Sequence, residues 1–578
     1  MPLVRSLFVL LSALTLSGPP IGQALASGEE PQRDAAIYGP YIAGLAAGHR
    51  GDADTAADLL LGLSSRLQPT VAVLGPALRA AISAGRMEEA LPVAESLLDL
   101  DPRASEAAAL LRLADAARAG DWEAADKILR LLPGRDLSGT RRHLLQAWVT
   151  LPVEGSEAAL AALEPLRERA GLRTLYLLHK ALLLDVAGQP EAGEAYREAL
   201  ASSSPPSGRS VLLTSNYLAR SGANEEAKAL IVEQLVGGRG SATLAAILAE
   251  LEAGDPQAPL VGDAADGLSE VFLQIGAALS GEGPRVLALQ EARLSKFVAP
   301  DNLAATLLLA EILSRLDRHD EAVAHYETLI EDPRYGTVAS LARADALAAA
   351  DRTAEAEAAY AAMAEARAED PEPFLRLGNL LRWDRRFAEA VAAYDQAVAR
   401  KGDAQERDWL LYYFRGISNE RAGLWEAAEA DFQRALELRP EQPQVLNYLG
   451  YSWVERRENL AEARAMLERA VELRPRDGYI VDSLGWALYQ LGDYENAVIQ
   501  LEHAVELEPS QAVINDHLGD AYWRVGRQRE ALVQWQRTLS LGEDPDIDPE
   551  EVRLKLTEGL PPIQQAELPD ARTEPAAE

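Results

Sequence analysis

The sequence predicts an all-α solenoid, an array of about 14 helix-turn-helix repeats, and three observations predict it. A turn motif recurs: a helix-breaking Gly or Asp, two or three polar residues, then Glu-Ala or Ala-Ala opening a new helical stretch. Gly85-Arg86-Met87-Glu88-Glu89-Ala90 and Gly492-Asp493-Tyr494-Glu495-Asn496-Ala497 are two copies. The motif keeps phase. Its alanine falls at 56, 90, 124, 158 and 192, every step 34 residues, then at 227; it resumes at 288, 322, 356 and 390 and continues through 428, 463, 497 and 531. Each period holds two amphipathic stretches, with apolar residues three and four apart, as in Leu484, Leu488 and Leu491 and again in Val498, Leu501 and Val505. Stacked units of this kind bury a continuous core only against their neighbours.

Residues 1–26 read as a signal peptide. Arg5 supplies a short positive start, Ser6 to Leu16 is apolar, and Ala24-Leu25-Ala26 offers the small residues a signal peptidase accepts, so cleavage is expected after Ala26. The apolar run is about half of the roughly 20 residues a membrane span needs. Residues 27–235 then carry the 34-residue phase in divergent repeats, where glycine ends the first helix in the left-handed conformation it adopts at little cost.

Phase is lost over 236–300. Only 61 residues separate Ala227 from Ala288, and Pro256 and Pro259 fall where a second helix should run, so irregular repeats and a change of curvature near 254–267 are expected. Helical pattern resumes at Leu268 to Leu279. Residues 301–543 hold the most regular repeats; Pro440, Pro475 and Pro509 stop second helices there, and Gly450, Gly485 and Gly519 let helices approach closely, while Tyr394, Phe432 and Trp535 fill the space between. Over 544–578 the chain turns acidic and proline-rich, with a short capping helix expected at Pro549 to Thr557 and a disordered acidic tail beyond.

Composition excludes much chemistry. The 578 residues contain no cysteine, which removes disulfides, thiolate metal sites, thiol catalysis and cysteine lipidation. A net charge of −34 disfavours nucleic acid, which needs clustered Lys and Arg. None of the seven histidines has the i, i+4 partner of a helical zinc site; His319 and His325 straddle a predicted turn, and each histidine reads as a surface or partly packed residue. Gly237-Gly238-Arg239-Gly240-Ser241 is the nearest approach to a phosphate loop, and no strand precedes it. Carboxylates are so abundant that chance pairs carry no weight as acid and base. No enzyme activity, cofactor or metal is expected.

Leu449-Gly450…Ala463…Ala470…Pro475, Leu484-Gly485…Ala497…Ala504…Pro509 and Leu518-Gly519-Asp520-Ala521-Tyr522…Ala531 resemble the signature of the tetratricopeptide repeat (TPR) family. The resemblance covers 371–543 most fully and persists over 37–235 mainly as phase. It implies a right-handed superhelix with a concave groove lined by first helices. Projected onto this chain, the family's groove positions are Asn379, Arg382, Trp383, Tyr413, Arg421, Asn447, Tyr451, Asp482, Trp486, Tyr489, Asp516, Trp523 and Arg524. Seven of the nine tryptophans follow residue 380, and Trp, Tyr and Arg dominate interface energetics, so binding of other proteins is expected there. Trp535 and Trp425 read instead as packing residues. The family's chaperone-type carboxylate clamp is absent: Leu375 stands at its first Lys and Phe414 at an Asn.

Asn447-Tyr448-Leu449-Gly450-Tyr451, followed by Asp482-Ser483-Leu484-Gly485-Trp486-Ala487-Leu488-Tyr489, is similar to the C-terminal repeats of bacterial envelope TPR proteins of the LbcA kind. That resemblance implies a periplasmic adaptor bringing a carboxyl-terminal processing protease to its substrates. Those relatives are lipoproteins, and without a cysteine this chain is expected to lack the lipid anchor. Two alternatives stand beside the adaptor: a structural scaffold for outer-membrane or polysaccharide-export assembly, and an enzyme with a site in the irregular 236–300 region.

Overall fold

The computed structural model of the chain describes residues 31–562, apart from 104, 133–135, 170, 238–240, 543 and 545. The signal peptide expected at 1–26 and the tail beyond 562 lie outside the described residues. Among those described, every regular element is helical. Contacts divide the chain into two compact units, 1–359 and 360–578.

The repeated turn has a simple physical basis. Twelve of the fourteen phase-marking alanines are at most 1% exposed, and for the other two the buried residue is the next alanine, Ala125 or Ala159. A methyl group is all the space allows where the two helices of a hairpin touch. Five residues ahead of that alanine the backbone turns left-handed, at Gly85, Gly222, Gly423, Gly492 and Gly526, and equally at Asp317, Asp351 and Arg385. The hydrogen bonds are the same in both cases. Asp493 N donates to Leu488 O at 2.9 Å after glycine, and Arg352 N to Leu347 O at 2.9 Å after aspartate.

The first unit begins with six hairpins: α1 (Pro31–His49) with α2 (Ala53–Ser64), α3 (Val71–Ala84) with α4 (Met87–Leu100), α5 (Glu106–Arg118) with α6 (Trp122–Leu129), α7 (Asp136–Glu154) with α8 (Ser156–Leu163), α9 (Arg173–Val186) with α10 (Ala192–Ala201), and α11 (Gly208–Arg220) with α12 (Asn224–Val236). A lone helix α13 (Ala242–Ala253) follows. Gly254 closes it in the left-handed region, and no helix forms across Pro256 and Pro259. Then come α14 (Ala264–Glu282) with α15 (Arg285–Val298), α16 (Leu303–Arg315) with α17 (His319–Glu327), α18 (Gly336–Ala349), and α19 (Thr353–Ala366), in which the unit boundary falls. His319 and His325 therefore share one helix rather than straddling a turn, because the turn comes at 316–318.

The expected groove does not run open through this unit. Helices α14 and α15 pack on the first helices of successive hairpins: α15 on α3 and α5, and α14 on α5, α7 and α9. Leu268, Val271, Phe272, Leu294 and Phe297 join one core with Leu78, Leu110, Leu145 and Leu182. Gly267 makes the seat possible, since a Cβ there would fall 2.1 Å from the Trp148 ring. Polar contacts complete the seat. Arg141 Nη2 stands 2.7 Å from Glu291 Oε1, Arg209 pairs with the buried Glu270, and Arg293 donates to Ser83 O at 2.8 Å. The face that hairpin stacking offers is thus filled by the chain's own irregular repeat.

The second unit stacks five hairpins: α20 (Pro371–Trp383) with α21 (Phe387–Lys401), α22 (Trp409–Arg421) with α23 (Trp425–Leu438), α24 (Pro443–Arg456) with α25 (Leu460–Leu473), α26 (Gly478–Gln490) with α27 (Tyr494–Leu507), and α28 (Ala512–Arg524) with α29 (Gln528–Ser540). A final helix, α30 (Pro549–Glu558), packs on α29 and buries Val552. Four of the five hairpins close on a glycine facing a large residue of the second helix. Gly378 faces Tyr394, Gly416 Phe432, Gly485 Leu501 and Gly519 Trp535, each partner sixteen residues on. Trp535 and Trp425 are buried packing residues.

Candidate protein-binding face

Residues three before and one, four or five after Gly450, Gly485 and Gly519 lie roughly 40° to 140° round α24, α26 and α28 from the glycine, and so form one continuous face of each first helix. Neighbouring first helices touch along this face, α24 with α26 and α26 with α28.

At its middle the rings form a platform. Trp486 stacks on Tyr489, with centroids 4.7 Å apart and planes 7° apart, and on His517 of the next first helix, at 4.0 Å and 14°. Trp486 Nε1 donates to Glu455 Oε1 at 3.1 Å. Tyr489 accepts from Arg524 Nε at 3.2 Å. His517 Nδ1 lies 3.0 Å from Asp482 Oδ1. Burial alone would lower the imidazole pKa, but the carboxylates of Asp482, Asp516 and Asp520 outweigh it and raise the value, favouring the charged ring. Burial and nearby carboxylates raise the Tyr489 and Tyr451 hydroxyls. The indole and its neighbours are therefore held in one rotamer while Trp486 stays only half-buried.

The remaining sequence-predicted residues divide three ways. Tyr413 sits inside an aromatic cluster with Trp409, Phe414, Phe432 and Tyr448, at centroid separations of 5.6 to 6.2 Å, and so serves packing. Asn379 accepts from the Tyr394 hydroxyl at 2.8 Å, tying one helix to the next. Arg382 lies over the Phe414 ring at 4.4 Å, and its buried Nε has no hydrogen-bond partner; the same holds for Asn447 Oδ1. Arg421 is exposed, and Trp383, 83% exposed, is the most open large apolar residue of this unit.

Asp516, Trp523 and Arg524 are covered by the chain itself. Lys555 of α30 donates to Asp516 Oδ2 at 2.7 Å and to Asp520 Oδ2 at 3.0 Å. Gly559 sits against Trp523, where a Cβ would fall 1.9 Å from the indole, and Arg524 Nη1 donates to Pro561 O at 2.7 Å. The α29–α30 connection comes within electrostatic reach of the same face, with Asp546 acting on Arg421 and Tyr451. Sequence reading missed Glu455, His517, Asp520 and Lys555. For Asp520 the signal was present: it follows Gly519 as Trp486 follows Gly485.

His179, read as a surface or partly packed residue, is fully buried and accepts from Trp148 Nε1 at 3.0 Å; burial pushes its pKa down to about 4. A polar cavity of about 450 Å³ in the first unit is lined by Arg209 and Arg334, which are already engaged by Glu270 and Glu250. Among the described residues no group of three or more His, Asp or Glu side chains is arranged to hold a metal, and no helix is long and apolar enough to cross a membrane.

A tetratricopeptide repeat family model matches residues 375–443, and a TPR repeat model matches 485–526. No curated protein matches the chain. Among solved structures, it is similar to YrrB, described as a TPR protein with an unusual peptide-binding site, at 24% identity over 32% of this chain and 93% of that one, with a TM-score of 0.27. It is similar to the APC/C hetero-tetramer Cut9–Hcn1 at 15% identity over 92% and 98% of the two chains, TM-score 0.36. MamA of Desulfovibrio magneticus RS-1 matches at 20% identity over 31% and 97%, TM-score 0.27. The repeat assignment over α20–α23 and α26–α28 rests on the model matches and on the hairpin geometry.

Proposed function

We propose that the chain is a non-enzymatic scaffold of the bacterial envelope that holds partner proteins on the face of α24, α26 and α28. The observation that carries this reading is the Trp486–Tyr489–His517 stack. It is an aromatic platform whose rings are already fixed by one another and by Tyr494, so a partner gains buried area without ordering floppy side chains. The TPR repeats supply the general role, protein interaction. Periplasmic location is supported by the n-region, apolar run and Ala24-Leu25-Ala26 site, and the resemblance of 447–451 and 482–489 to envelope adaptors supports recruitment of a carboxyl-terminal processing protease to its substrates.

The test is crosslinking in cells followed by identification of what is attached. Trp486→Ala together with Tyr489→Ala should weaken partner binding, and with it partner recovery, by at least roughly thirty-fold, since a single hot-spot aromatic is worth about 2 kcal/mol. Circular dichroism should stay unchanged. Undiminished recovery from the folded double variant would remove the platform from the site. A protease recovered with its substrate supports the adaptor, whereas export machinery in its place supports an assembly scaffold.

A further inference from the structure

The last first-helix of the second unit is already occupied, and its occupant shows what it takes. Lys555 is buried between Asp516 and Asp520, which are themselves only 8% and 5% exposed, and Val552 one turn earlier enters the core. Asp516 Oδ1 remains buried without a hydrogen-bond partner, whereas Asp520 Oδ1 is held by Trp535 Nε1 at 2.9 Å. The Asp482–His517 pair stands beside them. Burial and the neighbouring Asp516 carboxylate push Asp520 up to about 6 even with the ammonium in place. Emptied of Lys555, this pocket would hold two buried carboxylates with no ammonium between them, which is costly without a replacement cation.

The occupant is lightly held. Helix α30 has ten residues, too few to be stable alone. It fully buries only Val552 and Lys555, sets Leu556 partly buried against the core, leaves Leu554 52% exposed, and is joined to α29 through eight residues, 541–548. Resting on the protein-binding reading above, we infer that the α28 face is a receptor for an amphipathic helix with one lysine set among aliphatic residues. Helix α30 is the resident ligand, which a partner helix of that chemistry displaces. The lysine is the specific element, because an apolar isostere leaves both carboxylates buried and unpaired, and a chain of net charge −34 favours a cationic visitor. Tethering gives α30 an effective concentration of about millimolar, so it screens out weak competitors.

The probe is a fluorescein-labelled peptide of residues 547–562, titrated into the full chain. Lys555→Gln vacates the pocket, so the peptide should bind that chain at least ten-fold more tightly than the wild type. A peptide carrying the same Lys→Gln change should not bind. Adding Asp516→Asn and Asp520→Asn to the vacated chain should abolish binding, while Lys555→Arg, which keeps the cation, should keep the peptide out. Circular dichroism checks that each chain is folded. Equal binding of both peptides, or no binding to the folded Lys555→Gln chain, overturns the inference. A wild-type dimer in light scattering that Lys555→Gln dissolves would make the occupant a second copy and overturn it as well. Failure here beside loss of crosslinks in the Trp486/Tyr489 variant leaves the scaffold reading standing and removes only the displacement.

Discussion

Glu291 sits 1% exposed at the centre of the first unit, and burial raises its pKa to about 7 although Arg141 lies beside it. A carboxyl whose folded pKa exceeds its unfolded value of 4.5 stabilises the fold fully below pH 4.5 and loses that contribution as pH rises through 7. The loss is on the order of 3 kcal/mol. Burial lowers the pKa values of His143, His179 and His325 in the same unit, so they act in the opposite sense and mask the effect in the wild type. Glu291→Gln keeps the histidines and mimics the protonated acid. The gap between its thermal midpoint and that of the wild type should therefore widen, in the variant's favour, from pH 6 to pH 8.5. A constant gap would mean that Arg141 keeps the carboxylate charged. None of this was legible in the sequence, where Glu291 is one acid among ninety.

Helix pairs depend on where they lack side chains. A Cβ on Gly485 would stand 2.6 Å from Leu501 and one on Gly519 2.5 Å from the Trp535 indole nitrogen, whereas one on Gly62 in α2 meets nothing within 4 Å. Alanine is the better helix former by about 1 kcal/mol, so Gly62→Ala should raise stability slightly. At Gly485 overpacking of about 1–3 kcal/mol opposes that gain, and Gly485→Ala should lower the denaturant midpoint. The sequence pointed to Gly450, Gly485 and Gly519, since a glycine inside a helical stretch calls for a packing reason. It also marked the turns, though not that Asp317, Asp351 and Arg385 would adopt the left-handed backbone there. In the groove, spacing located Trp486 and Tyr489 on one helix face. It could not show that His517 completes their stack, because that contact joins two repeats.

Each unit has its own apolar core, with Leu78, Leu110 and Phe272 in the first and Leu449, Leu501 and Trp535 in the second. Separate cores predict two transitions in calorimetry, with Gly485→Ala shifting one and Glu291→Gln the other. A single transition moved by both variants would show that the units unfold together.

From sequence alone came the helices, the 34-residue period, the alanine that marks it and the turn before it, because these repeat locally and each copy restates the same packing need. Tertiary structure alone decided what covers each exposed face. An amphipathic pattern states that a surface must be covered without naming the neighbour, and here α14–α15 fills the inner side of α3–α9 while α30 lays Lys555 on α28. Both occupants lie outside the repeating hairpins they cover, and no periodicity reaches across to them.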